Sequence, residues 1–298
     1  MKGDLQRLLP GLEKVNLPFS RDQLFLLMTA VNQIFLGVDI YLAHMISGTI
    51  VPREWIPIIF GPIAGILILA AGLIARRRRE TALVIANTVF VGSILVGLLG
   101  AYYHFIRAIL PNAPPGLRIS VNLLIWAPPV VGPLVFSLVG LLGISAVWKE
   151  EPVGSGRLLI WKNRHIQLPY SKTSAYYFMI SLGTLATLLS SALDHARTDF
   201  ENPWLWAPVI TGLLGVLVPA VLGFQEERRR GDILIHVIAM ALLILTGLIG
   251  SWLHIQNNLT ADLQFVPERF IRGAPFLAPL LYANMGMLGL LITLDPQE

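Results

Sequence analysis

The chain has 298 residues, of which 55 % are apolar and only 13 % charged, with a formal net charge of +4 and a strongly positive mean hydropathy. That balance excludes a soluble domain and defines an integral membrane protein. Cysteine is absent, which removes disulfides, thiolate metal sites, iron–sulfur clusters and cysteine-attached haem.

Residues 1–21 place Leu5, Leu8, Leu9, Leu12, Val15 and Leu17 among charges, and read as a cytoplasmic, interfacial amphipathic segment rather than a cleavable signal peptide. Apolar runs follow over 22–48, 55–75, 80–108 and 119–147, then 172–197, 203–224, 231–257 and 270–294. Only helices or closed barrels satisfy their backbone polar groups in lipid, and runs this long mean helices. The expected fold is an all-α integral membrane protein, with eight transmembrane helices forming two tandem, parallel-repeat four-helix bundles over 22–148 and 172–298. A polar cytoplasmic connector, 149–171, joins them, and within it Arg157–Trp161 and His165–Leu168 are expected to form a small hairpin.

The repeat is legible in several markers. Gly97-Leu98-Leu99-Gly100-Ala101-Tyr102-Tyr103-His104 returns as Gly247-Leu248-Ile249-Gly250-Ser251-Trp252-Leu253-His254, and Pro52–Pro57 is echoed by Pro203–Pro208. Gly61 matches Gly212, and Arg76–Arg79 match Arg228–Arg230. In the last run of each half, Ala127-Pro128-Pro129-Val130-Val131-Gly132-Pro133 resembles Ala274-Pro275-Phe276-Leu277-Ala278-Pro279 with one residue dropped. Each such proline kinks a helix and frees carbonyls that neighbours, water or a ligand must satisfy. Four spans per half give both halves one orientation, related by a pseudo-twofold axis along the membrane normal.

Charge sets the orientation. Sixteen of the twenty-two basic residues fall at the N-terminus and the even-numbered loops, which places both termini of this multi-pass protein in the cytoplasm, in a cell (inner) membrane. Short basic clusters beside membrane helices are what topology requires, so no nucleic-acid partner is expected.

Four histidines behave as a set. His44 and His195 each stand eight residues before a repeated proline, and His104 and His254 end the repeated glycine motif. All four lie 21 to 23 residues from the cytoplasmic start of their helices, roughly 32–35 Å, and therefore at one outer depth. His44 with His104, and His195 with His254, would form a bis-histidine pair in each half. Gly97 and Gly100, like Gly247 and Gly250, share their histidine's helix face and are expected to clear room for a macrocycle. Gly37 adds a similar gap before His44, whereas Leu188 stands at the matching position before His195.

These residues carry the leading expectation, a redox subunit binding haem b or a related tetrapyrrole and passing electrons between a quinol and an extracytoplasmic partner. Copper or zinc is the alternative ligand, with Asp194 and either Glu54 or Glu201 added to the four histidines. Asp39 and Asn32 share a face of the first helix and mark a possible polar pathway, as in a transporter with a midplane site. A further stripe in the fifth helix comprises Thr184, Thr187, Ser191 and His195. A structural subunit of a larger membrane complex is the non-catalytic reading, with the lipid bilayer and neighbouring subunits as its partners. His236, about 27 Å from His254 along its helix, finds no second intramembrane histidine at its depth. No nucleotide loop, nucleophile–base arrangement or zinc-protease motif is present.

Overall fold

The computed structural model describes Leu8 and residues 18–46, 48–75 and 77–294. Nearly all of the expected amphipathic segment at 1–21 lies outside these residues. Helix α1 spans Arg21–Met45, started by Ser20, whose hydroxyl accepts from Gln23 N while the Gln23 side chain returns to the Ser20 N–H. That reciprocal cap satisfies two backbone donors that the first turn leaves open. Pro52 begins a short 3₁₀ turn leading into α2, Trp55–Ile74, and α3 runs over Arg79–Arg107.

The second half repeats the pattern. Helix α6, Lys172–Ala196, is capped by Ser171; α7 is Trp206–Phe224, entered through a 3₁₀ turn at Pro203; α8 is Arg230–Asn258. Counting each entry turn with its helix, six helices are thus 22 to 29 residues long and apolar enough to cross a membrane. Their outward faces carry bare aliphatic side chains such as Ile66, Leu95, Leu182 and Ile249. A surface of this kind belongs in contact with lipid.

The fourth run of each half departs from the continuous helix expected. It divides into α4, Val121–Trp126, and α5, Leu134–Val147, in the first half, and into α9, Pro267–Arg272, and α10, Leu280–Ile292, in the second. The prolines are the cause, since Pro128, Pro129 and Pro133, or Pro275 and Pro279, withdraw donors within a single turn or two. The connector holds the expected hairpin, β2 Arg157–Trp161 against β3 Arg164–Gln167, with the two-residue β1, Lys149–Glu150, antiparallel to β2.

Within each half, the first helix packs on the second, the second on the third, the third on the long part of the fourth, and the fourth on the first. The first and third helices, which carry the histidines, are therefore diagonal. Between the halves, α5 meets α6 and α10 meets α1. Phe25 and Tyr176, which occupy equivalent places in the two halves, stack face to face at 4.2 Å and 8°. Equivalent cations then reach across in both directions: Lys172 Nζ donates to Asp22 at 2.6 Å and to the Trp148 carbonyl at 2.7 Å, while Arg21 donates to Thr173 at 2.9 Å. Tyr176 adds a hydrogen bond to Asp22 at 3.0 Å.

Lys172 is only 1 % exposed, and losing its charge leaves Asp22 without its ammonium partner. Lys172→Met should lower stability by about 2–3 kcal/mol, seen as a reduced Tm in detergent. Lys162→Met, on the exposed turn between β2 and β3, should leave the Tm unchanged.

Candidate functional site

The repeated glycine motif and the repeated prolines meet. A side chain at Gly97 would run into the Ser137 hydroxyl and backbone N and the Pro133 carbonyl, and one at Gly100 into the Pro133 ring. In the second half Gly247 abuts Ala283 and the Pro279 carbonyl, and Gly250 the Pro279 ring. The bare faces of α3 and α8 thus receive α5 and α10, so Gly97, Gly100, Gly247 and Gly250 pack a helix where a macrocycle was expected. Small residues that let backbones approach are the usual means of helix association in lipid. Gly37 has the same use: it lies against Pro62 of α2, and Gly61 against the Gln33 carbonyl.

The freed carbonyls are then met one by one. His104 Nδ1 lies 3.0 Å from the Pro129 carbonyl, and His254 Nδ1 lies 3.0 Å from the equivalent Pro275 carbonyl. A carbonyl only accepts, so each Nδ1 carries the hydrogen and the neutral ring keeps its lone pair on Nε2. Ser251 donates to the Phe276 carbonyl at 2.7 Å, and Asn258 both donates to the Ala274 carbonyl and accepts from its N–H, each at 2.8 Å. In the first half the matching service crosses between halves. Arg197, at the end of α6, donates to the Ile125 and Ala127 carbonyls at 2.8 and 3.1 Å.

His44 and His104 come together across the first bundle, with ring centres 6.1 Å apart and planes inclined by 54°. His44 Nδ1 faces the Ile40 carbonyl of its own helix at 2.8 Å. In both rings the hydrogen-bearing nitrogen is thereby fixed on the backbone, as a metal-binding imidazole requires of its second nitrogen. Two imidazoles sharing one ion at about 2.0–2.1 Å place their ring centres roughly 6 Å apart, which the observed separation matches. In the second half His195 and His254 stand near the ends of α6 and α8. There His195 Nδ1 is buried without a partner among the described residues, and the ring meets Phe200 edge-on at 6.3 Å.

The other expected site residues fall outside these pairs. Asp194 lies 3.5 Å from Arg197 on its own helix, and Glu54 accepts from the Val51 N–H at 3.0 Å. Among the described residues, no group of three or more His, Cys, Asp or Glu side chains could hold a metal ion. Asp39 is half-buried, and Asn32 keeps its Nδ2 buried with no partner. Next to it Gln33 donates to Ser93 of α3 at 2.5 Å. His236 is fully buried, with Nε2 at 2.9 Å from the Gly289 carbonyl and the ring edge-on to Tyr177. Sequence reasoning missed Arg197 and Asn258 as partners of the broken helices. Neither stands near its partner in sequence: Arg197 reaches back to Ile125 and Ala127, and Asn258 forward to Ala274.

Six long apolar helices and two shorter ones define the class, a polytopic α-helical membrane protein. Comparison with protein-family models, curated proteins and solved structures finds no match to this chain.

If the glycine faces serve packing, Gly97→Leu and Gly247→Leu should each cost about 3 kcal/mol or prevent folding. Gly72→Leu, at a position with nothing within 4 Å, should be silent. Yield and Tm of the three purified variants decide it.

Proposed function

We propose that the chain is a membrane redox subunit of two tandem four-helix repeats spanning the membrane eight times, each repeat holding haem b or a related tetrapyrrole between its histidines. The observation that carries this reading is the His44–His104 pair, set 6.1 Å apart on diagonal helices with each Nδ1 engaged by a carbonyl. Tetrapyrrole iron takes four ligands from its own ring and asks the protein for two axial nitrogens. Zinc asks for three or four protein ligands, which the described residues do not assemble here. Because α5 and α10 occupy the glycine faces, His44 and His104, with His195 and His254, are the residues that would hold the group. When bound, the group supplies one-electron redox chemistry.

The protein's own part is to fix both imidazoles, withhold water and set the depth of the site. The basic residues at the connector end support an orientation with that end and both termini in the cytoplasm and the histidines toward the extracytoplasmic side. An apolar groove of about 410 Å³ on α2, lined by Pro52, Trp55, Ile56, Ile59, Phe60 and Ile63, offers a quinol an approach from the bilayer. Tyr41, three residues before His44, lies 6.4 Å from Trp55 at its rim.

A second reading, a structural subunit of a larger membrane complex, is favoured by the use of all four glycines and two Nδ1 atoms in docking the broken helices. The two readings separate at His44, whose Nδ1 hydrogen bond to the Ile40 carbonyl stays within its own helix. Protein purified after haem-replete expression should show a Soret band, and His44→Ala should remove about half of the bound haem with little change in Tm, as expected of an axial ligand to one of two groups. A colourless wild-type protein ends the redox reading and leaves the structural one.

A further inference from the structure

The two halves differ in the space beneath their histidines. In the first half that space is apolar: Phe60 and Phe136 meet edge to face at 6.1 Å within a cluster of Leu36, Val135 and Val139, with Ile40 and Val96 packed against it. Carried through the repeat, Phe60 becomes Thr211, Phe136 becomes Tyr282, Ile40 becomes Ser191 and Val96 becomes Thr246. These four positions and Leu36, which becomes Thr187, have gained a hydroxyl, whereas Val135 and Val139 become Leu281 and Met285. Thr246 donates to Thr211 at 3.1 Å, joining α8 to α7.

Six buried side-chain polar atoms of the second half find no partner among the described residues, and three of them are His195 Nδ1, the Tyr282 hydroxyl and Thr184 Oγ1. Tyr282 is 2 % exposed and Thr184 fully buried. The Tyr282 ring lies beside Leu188 and Gly212, on the inner face of the bundle, and its hydroxyl faces Ser191. Ser191 is one turn from His195, and Leu188 and Thr184 continue the same helix face inward. In the first half His44 Nδ1 has the Ile40 carbonyl and Gln33, the counterpart of Thr184, donates to Ser93, while Gln33 Oε1 and the neighbouring Asn32 Nδ2 stay buried with no partner among the described residues.

Buried polar groups are satisfied by protein or by ordered water, and a cavity with several convergent hydroxyls holds water where an apolar one stays dry. We propose that the second half, and not the first, contains a hydrated pocket beneath its histidine pair, in which a short chain of water molecules joins His195 Nδ1 to the Ser191 and Tyr282 hydroxyls and extends toward Thr184. From His195 to Thr184 is about 16 Å along the helix. The two histidine pairs are thereby made unequal, because His195 has a route for proton exchange into the membrane interior that His44 lacks. The pocket does not depend on what the histidines bind.

The absence of cysteine allows a direct test. Ser191→Cys and Thr211→Cys, with Ile40→Cys and Phe60→Cys as their first-half counterparts, would be exposed in membranes to a small charged methanethiosulfonate reagent, with Thr198→Cys on the exposed end as the fully reactive standard. Only a hydrated thiol ionises and reacts, so the second-half cysteines should label at least about tenfold faster than the first-half ones. Equal rates in the two halves would overturn the proposal. A readout without substitution guards against misfolded variants: X-ray radiolysis generates hydroxyl radicals from bound water, and should modify Tyr282 in the wild-type protein while sparing Phe136. Equal protection of both aromatic rings would likewise overturn it.

Discussion

Breaking a helix within a membrane frees carbonyls that lipid cannot satisfy, and in this protein both breaks are closed by the same contact. A proline-led helix settles on a glycine-cleared one, and the histidine at the end of the glycine motif donates to the carbonyl of the proline at the break. Gly97 and Gly100 bring α5 close enough for His104 to reach Pro129; Gly247 and Gly250 do the same for α10, His254 and Pro275. The glycines, prolines and histidines therefore belong to one device. Its by-product is chemical, since an imidazole that has given its Nδ1–H to the backbone presents the lone pair of Nε2 elsewhere.

The halves are held to each other at the opposite end. Phe25 stacks on its counterpart Tyr176, and Arg21 and its counterpart Lys172 each donate across the same seam. These contacts join positions that the sequence repeat makes equivalent. The departures from symmetry are as informative as the agreement. Arg197 crosses from the second half to latch the first half's broken segment, a service that Asn258 performs locally in the second. Tyr282, Ser191 and Thr211 replace the aromatic and aliphatic plug of the first half.

Much of the fold was legible because burial in lipid leaves long apolar runs: six of the eight expected spans match single helices to within a few residues. The hairpin lies where the polar connector was expected to hold one, at Arg157–Trp161 and Arg164–Gln167. The proline pairs announced a kink, but their clustering produced a full interruption at 127–133 and 273–279, since neighbouring withdrawn donors leave no ladder to bridge. What the glycine stripe touches was not legible, because a helix face of small residues reads identically against a ring or another helix. The approach of His44 to His104 followed from equal depth on parallel helices. Arg197 and Tyr282 were hidden because their partners lie on other elements, at distances in sequence that no local pattern spans.

The central claim is that His104 and His254 hold the broken helices through Nδ1 while leaving Nε2 unprotonated. Nitrogen-15 NMR of histidine-labelled protein in bilayers, assigned by single His→Gln substitutions, reads the tautomer of each ring. The account predicts that neutral His104 and His254 carry the hydrogen on Nδ1. Finding it on Nε2 in either ring would contradict the account, because the Pro129 or Pro275 carbonyl would then have no donor.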